Sequence, residues 1–200
     1  SLAIAFTSVY NSSFERNFFC LYAFLFFGAV NLTKVMCPEG NYIDLLMVHE
    51  ENILTLLRAK YYYYCAVLVL PLLIMLTPVI TGKFSLLMLA AYLFTTTGPV
   101  YCLLFQMAVY NKVTLPLNEK ITGKNQMENK WQAIVSMTAM FLPVFLVLFL
   151  QVFFDIDTAY WILTVIGLLF TVTETYWLRN IYQRMMRRRY QNLEGFHTTR

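Results

Sequence analysis

The stretch Tyr61–Thr81 reads YYYYCAVLVLPLLIMLTPVIT. It runs without a charge for the roughly 20 positions that a helix needs to cross a hydrocarbon core. Four further blocks of the same kind follow or precede it, at 17–33, 85–110, 132–154 and 159–178, each bounded by charge or turn residues such as Lys34 and Gly82-Lys83. Helix is the only secondary structure that suits them, because an open strand leaves backbone groups unsatisfied in lipid. A transmembrane barrel would need alternating segments of about ten residues, and these runs do not alternate. The expected fold is therefore all-α: a polytopic integral membrane protein with five complete transmembrane helices. Ser1–Tyr10 is apolar but too short to span, and reads as the end of an earlier helix. The chain starts without Met and shows no charged leader before an apolar run, so 1–200 is expected to be a single transmembrane domain, a fragment of a longer protein.

Composition agrees. Of 200 residues, 59% are hydrophobic and 13% charged, and mean hydropathy is +0.57. Soluble domains run nearer 45–50% apolar and about 25% charged. This excludes a disordered chain, a nucleic-acid-binding domain and nearly every ordinary water-soluble enzyme. Pro71, Pro78, Pro99 and Pro143 fall inside spans, where their missing hydrogen bonds must be met by neighbouring helices or local distortion.

Charge sets the expected sidedness. With the C-terminus inside, thirteen of the fifteen Lys and Arg fall on inner segments: Lys34, Arg58 and Lys60 in 34–60, four lysines in 111–131, and six arginines in 179–200. Only Arg16 and Lys83 are left outside. Loops rich in Lys and Arg stay cytoplasmic. The location expected is the bacterial inner (cytoplasmic) membrane, multi-pass, C-terminus cytoplasmic. Tyr61–Tyr64, Trp131, Trp161 and Trp177 fall at span ends, where amphipathic rings collect.

Chemistry is sparse. A phosphate-cradling loop needs Gly five residues before Gly-Lys, and Thr77 and Asn118 stand there. His49-Glu50-Glu51 is similar to the paired glutamates of CAAX-type membrane proteases, but the Arg that pattern wants four residues on is Thr55, and the only other histidine is His197. One histidine per region cannot build a zinc site. Cys20, Cys37, Cys65 and Cys102 show no metal-type spacing and read as structural thiols. No catalytic residue, metal ligand or cofactor is expected. Glu174 is the intramembrane polar candidate, an acid near the inner end of the last span, since acids inside spans are expensive. Asn31, Gln106 and Gln151 read as interhelical hydrogen-bonding groups. The tail RNIYQRMMRRRYQNLEGF (179–196) reads as an extension of the last helix, ending near Gly195. Its Arg187-Arg188-Arg189 run suits anionic lipid heads, although fixing orientation suffices to explain it.

The most informative stretch is 39–60, EGNYIDLLMVHEENILTLLRAK. Ile43, Leu46 and Met47 form one apolar stripe and Ile53, Leu54 and Leu57 another, separated by His49–Asn52. Two short amphipathic helices along the inner membrane face fit this pattern. Its landmarks, Glu39-Gly40, Leu45-Leu46 and Ala59-Lys60, resemble those of the membrane subunits of ABC-type exporters of the second class. NYIDLLM (41–47), LLRAKYYYY (56–64) and the ending 179–196 more closely resemble a bacterial family of uncharacterised membrane proteins related to those exporters, of which this chain would be the C-terminal portion.

The resemblance implies a permease subunit that does no chemistry itself, ATP hydrolysis belonging to a separate ATP-binding cassette ATPase. It implies a cytoplasmic coupling segment at 39–60, with Tyr42, Asp44, Leu45, His49, Glu50 and Glu51 facing that ATPase. Membrane lipids and a second permease half, or a homodimer, are the other partners; nucleic acid is not. The alternative is a non-transporting scaffold or biogenesis factor that anchors cytoplasmic partners through the same segment.

Overall fold

The computed structural model describes residues 12–26, 28–48, 50–112, 114 and 130–198, and every regular element among them is helical. α1 (Ser13–Leu25) starts on Ser12, whose hydroxyl accepts from the Glu15 amide at 3.2 Å. That N-cap, with an acid in the first turn, satisfies orphan donors and complements the helix dipole. After Gly28 comes α2 (Ala29–Thr33), then a 3-10 turn (Pro38–Tyr42) and α3 (Ile43–Val48). α4 (Glu50–Val67) and α5 (Val69–Ile80) form one long rod, interrupted at Leu68. Pro71 accounts for the break, since its ring crowds the carbonyl four residues back. α6 (Leu86–Thr95), a π-turn (Thr96–Val100), α7 (Tyr101–Phe105) and a 3-10 turn (Gln106–Val109) make the next rod. α8 (Lys130–Phe153), α9 (Ile156–Val172), α10 (Glu174–Arg187) and α11 (Arg189–Thr198) complete the order.

Three rods are long and apolar enough to cross a membrane: Ile53–Ile80, Leu86–Val109 and Trp131–Phe153. A fourth exists if α9 and α10, bent by 59° at Thr173, count as one. The expectation of five complete spans is thus met in part. Block 17–33 divides into α1 and α2 around Gly28, a poor helix former on which an added Cβ would lie 3.2 Å from the Tyr101 hydroxyl. Block 159–178 ends early. At Thr173 the ladder breaks, and the Trp177 indole donates to the Phe170 carbonyl at 3.0 Å, taking up an acceptor that the bend frees.

The second predicted coupling helix is not a separate one. Ile53, Leu57, Tyr61 and Leu68 are all buried along one side of a helix that continues into the span, because no Gly or Pro interrupts 50–67. Gly195 likewise lies inside α11 and does not end it. At the opposite end of the rod, Gly82 takes φ +74 and closes α5 with a Schellman pair: Gly82 N donates to Val79 O and Lys83 N to Pro78 O, both at 3.0 Å.

The core is drawn together where α9 crosses the π-turn. A Cβ on Gly98 would lie 2.5 Å from the Gly167 carbonyl oxygen, and one on Gly167 would lie 2.6 Å from the Phe94 carbonyl carbon. Two backbones touch there with no side chain between them, the packing that small residues permit in membranes. Pro99 donates no hydrogen bond, and the ladder opens into the π-turn. The adjacent hydroxyls turn back onto the helix: Thr95 to Ala91 O and Thr96 to Tyr92 O at 2.7 Å, and Thr97 to Leu93 O at 3.2 Å. Thr97 also meets Thr171 of α9 at 3.3 Å. Beside this turn, an apolar cavity of about 290 Å³ opens between Pro99, Leu103, Pro143, Leu146, Leu163 and Phe170.

Toward the α1 N-terminus a polar knot is sealed in the core. Asn17 is fully buried; its Oδ1 accepts from Tyr160 Oη at 2.7 Å and Tyr92 Oη at 3.0 Å, and its Nδ2 donates to Ser13 O at 2.8 Å. Three helices are joined through one amide.

Two outcomes follow. Gly167→Ala forces a methyl into backbone and should cost about 1–3 kcal/mol, whereas Gly82→Ala, with nothing within 4 Å of the new Cβ, should cost only the strain of positive φ, about 1 kcal/mol. Thermal midpoints of the purified protein in mild detergent give the order, and equal midpoints would refute the close-approach account. Asn17→Leu should be more damaging than Tyr92→Phe, because it strands two buried hydroxyls at about 1–3 kcal/mol each, and the same melts decide it.

Candidate functional site at the basic end

Residues 34–60, 111–112 and 179–198 meet at one end of the bundle. Lys60, where α4 emerges, donates to Glu39 Oε2 at 2.5 Å and to the Val35 carbonyl. Both side chains of the ion pair are largely buried, so the turn 34–42 is tied to the first long rod by a charge-assisted bond. Asn111 fixes the same turn from the other side. Its Nδ2 donates to Thr33 O at 3.0 Å, and its Oδ1 accepts from Met36 N at 3.4 Å.

The C-terminal helices close over this layer. α10 packs on α4 and on 101–109. Arg184 donates to Gln106 Oε1 at 2.6 Å and to Tyr110 Oη at 3.2 Å, and Arg188 stacks 4.9 Å above the Tyr110 ring. Asn192 Nδ2 donates to Val109 O at 3.2 Å. α11 then reaches the 38–48 segment. Phe196 packs on Gly40, where an added Cβ would sit 2.8 Å from its ring and 2.6 Å from Thr114. His197 Nε2 lies 3.0 Å from Asp44 Oδ1. Gly195 admits the Lys112 side chain in the same way.

The predicted docking residues divide. Tyr42 is 56% exposed and Asp44 partly exposed, so both present themselves at this end. Asp44 is engaged by His197 as well. His49 and the side chains of Leu45, Glu50 and Glu51 lie outside the described residues. Glu174 is brought close to this layer, at the first position of α10 beside the bend; its Oε1 accepts from Tyr62 Oη at 2.8 Å and Thr175 Oγ1 at 3.1 Å. An acid at a helix start is favoured by the dipole, while its buried Oε2 has no hydrogen-bond partner among the described residues. Gln106 and Gln151 do make interhelical bonds, Gln151 with Ser13 at 3.2 Å, while Asn31 is exposed. Sequence reasoning missed Asn17, Asn111 and Asn192, the three fully buried asparagines among the described residues. For Asn17 and Asn111 the available signal was an amide at the edge of an apolar block; Asn192, in the polar tail, gave none.

What this end offers is mechanical linkage. Among the described residues no group of three or more His, Cys, Asp or Glu is placed to hold a metal ion, and all four cysteines are free thiols.

The three stretches that set the sequence apart, 41–47, 56–64 and 179–196, are contiguous in this layer. A family model matches residues 3–199, almost the entire chain. The chain belongs to that family, the family of unknown function DUF5687. Neither a curated protein nor a solved structure matches the chain. The DUF5687 chain thus carries its distinctive residues in one assembled layer, with the long rods rising from it.

Lys60→Met strands both Glu39 and the Val35 carbonyl and should destabilise by about 1–3 kcal/mol. In the double variant with Glu39→Gln the loss should be smaller than the sum of the two single losses. Thermal inactivation of the four proteins in detergent measures this coupling, and strict additivity would show that the pair contributes nothing.

Proposed function

We propose that this chain is the membrane-spanning permease subunit of an ABC-type exporter. A separate ATPase docks on the basic end, and substrate moves by rearrangement of the helices above it. The observation that carries the reading is the double tether of the 38–44 turn: to the first long rod through Glu39–Lys60, and to the C-terminal helices through Gly40–Phe196 and Asp44–His197. A push on this turn would reach both at once, which is what a coupling element must do. Prolines 71, 99 and 143 supply points of flexure, and the 290 Å³ cavity beside Pro99 and Pro143 leaves helices room to shift. Differential contact of the ATPase with two arrangements would drive the shift in population.

On this reading the basic end faces the cytoplasm of a bacterial inner membrane, in line with the sequence count of thirteen of fifteen basic residues in segments 34–60, 111–131 and 179–200. α1 and α2 together form a kinked span, and α9 continued by α10 forms the last. The chain works with a second permease half or a second copy of itself. Hydrolysis stays in the partner. A second reading is a scaffold or biogenesis factor that does not transport; the apolar cavity lining and the engagement of Glu174 with Tyr62 support it.

The test is recovery of a stoichiometric nucleotide-binding subunit with the full-length protein in mild detergent, identified by mass spectrometry. Asp44→Lys should weaken its retention and ATP-driven transport about ten-fold, roughly 1.4 kcal/mol, while membrane insertion persists. His197→Ala, which removes only the internal partner of Asp44, should retain the ATPase. Insertion with no ATPase bound, and no ATP-dependent transport with candidate ATPases supplied, would favour the scaffold.

A further inference from the structure

The arginine run 187–189 is not used as a run. Arg188 is committed to the Tyr110 ring and Arg189 stacks on Tyr190, while Arg184 is held by Gln106 and Tyr110. The cations left over are Arg179 and Arg187. Both are exposed, and among the described residues neither makes an ion pair or hydrogen bond. They lie about two helical turns apart on one side of α10, with Tyr176, Asn180 and Gln183 completing the stripe and Tyr190 following it on α11, past the break at Arg188. The two tyrosines are 79% and 71% exposed. The opposite side of α10 buries Leu178, Ile181 and Met185 against the bundle, so this stripe is its free face.

Depth decides what that face meets. α10 lies alongside the ends of the long rods, with Trp177 against Tyr61 and Phe105, Glu174 against Tyr62, and Arg184 against Gln106. It departs by 59° from α9, a 17-residue apolar helix. A helix at that level presents its outer side to the headgroup layer, where tyrosine rings settle and arginines meet phosphate. From Tyr176 to Arg187 the stripe is about 17 Å long, carries two positive charges, and has no acid of its own. Glu174 is turned to Tyr62, and Glu194 lies beyond Tyr190 on α11.

We infer that the Tyr176–Arg187 face of α10 is a binding surface for anionic phospholipid headgroups of the adjoining leaflet, with Arg179 and Arg187 as its phosphate contacts. The inference is independent of whether the chain works with an ATPase. Each arginine near an anionic surface is worth about five-fold in association.

The full chain reconstituted in phosphatidylcholine bilayers, with spin-labelled phosphatidylglycerol as the probe, tests this against spin-labelled phosphatidylcholine. Phosphatidylglycerol should be preferred, and the preference should weaken with added salt. Arg179→Gln should lower association at this site about five-fold and Arg179→Gln/Arg187→Gln about 25-fold. Arg16→Gln/Lys83→Gln, with the same charge change at the opposite end, should leave it intact. Should the glutamine double variant misfold, Arg179→Lys/Arg187→Lys keeps the charge and should keep the preference. An undiminished preference in the glutamine double variant, or equal loss in the opposite-end control, would overturn the assignment. So would a lipid preference that survives while an acidic protein partner is lost, which would reassign the face to that partner.

Discussion

Gly98 and Gly167 let two helix backbones touch, and much of the architecture depends on that contact. In hydrocarbon there is no hydrophobic force to press apolar helices together, so association rests on close packing and buried polar bonds. Here both occur on the same pair of helices. The glycines bring α9 onto the π-turn, Thr97 and Thr171 meet beside them, and Tyr92 and Tyr160 share Asn17 further along. The distortion at Pro99 does not leave a ragged helix, because three threonine hydroxyls occupy carbonyls of the preceding turn. A fixed crossing point then allows the rest of each rod to be placed.

At the basic end the joints are of another kind. Lys60, Asn111, Arg184 and Asn192 each bond a backbone carbonyl or a side chain from a remote part of the chain. The middle of the bundle is held by shape and the end by directed polar contacts. Such an end transmits displacement between the 38–44 turn, the first rod and the C-terminal helices, whatever applies the force.

The apolar blocks were legible because membrane spans declare themselves by continuous hydropathy, and the rods at 53–80, 86–109 and 131–153 correspond to them within a few residues except at the start of the first. That exception is instructive. Arg58 and Lys60 end the hydropathy signal, yet the buried stripe Ile53, Leu57, Tyr61 continues beneath them, since long cations can leave an apolar side undisturbed. The bend at Thr173 was not legible, because threonine neither breaks nor favours a helix strongly; the indole of Trp177, seven residues further on, provides the bond that stabilises it. Nor could the Glu39–Lys60 pair be read. Two charges beside membrane blocks look alike whether they face water or each other, and only packing decides. For the same reason the run 187–189 suggested three equivalent arginines where the fold makes three different ones.

The protein has three tryptophans, and their surroundings differ. Trp131 and Trp161 are 67% and 59% exposed along the bundle surface. Trp177 is wedged edge-on between Tyr61 and Phe105, with its indole N–H bound to the Phe170 carbonyl across the bend. Straightening α9 into α10 would restore that carbonyl to the helix ladder and release the indole. The bend therefore sets the surroundings of one of the three native tryptophans.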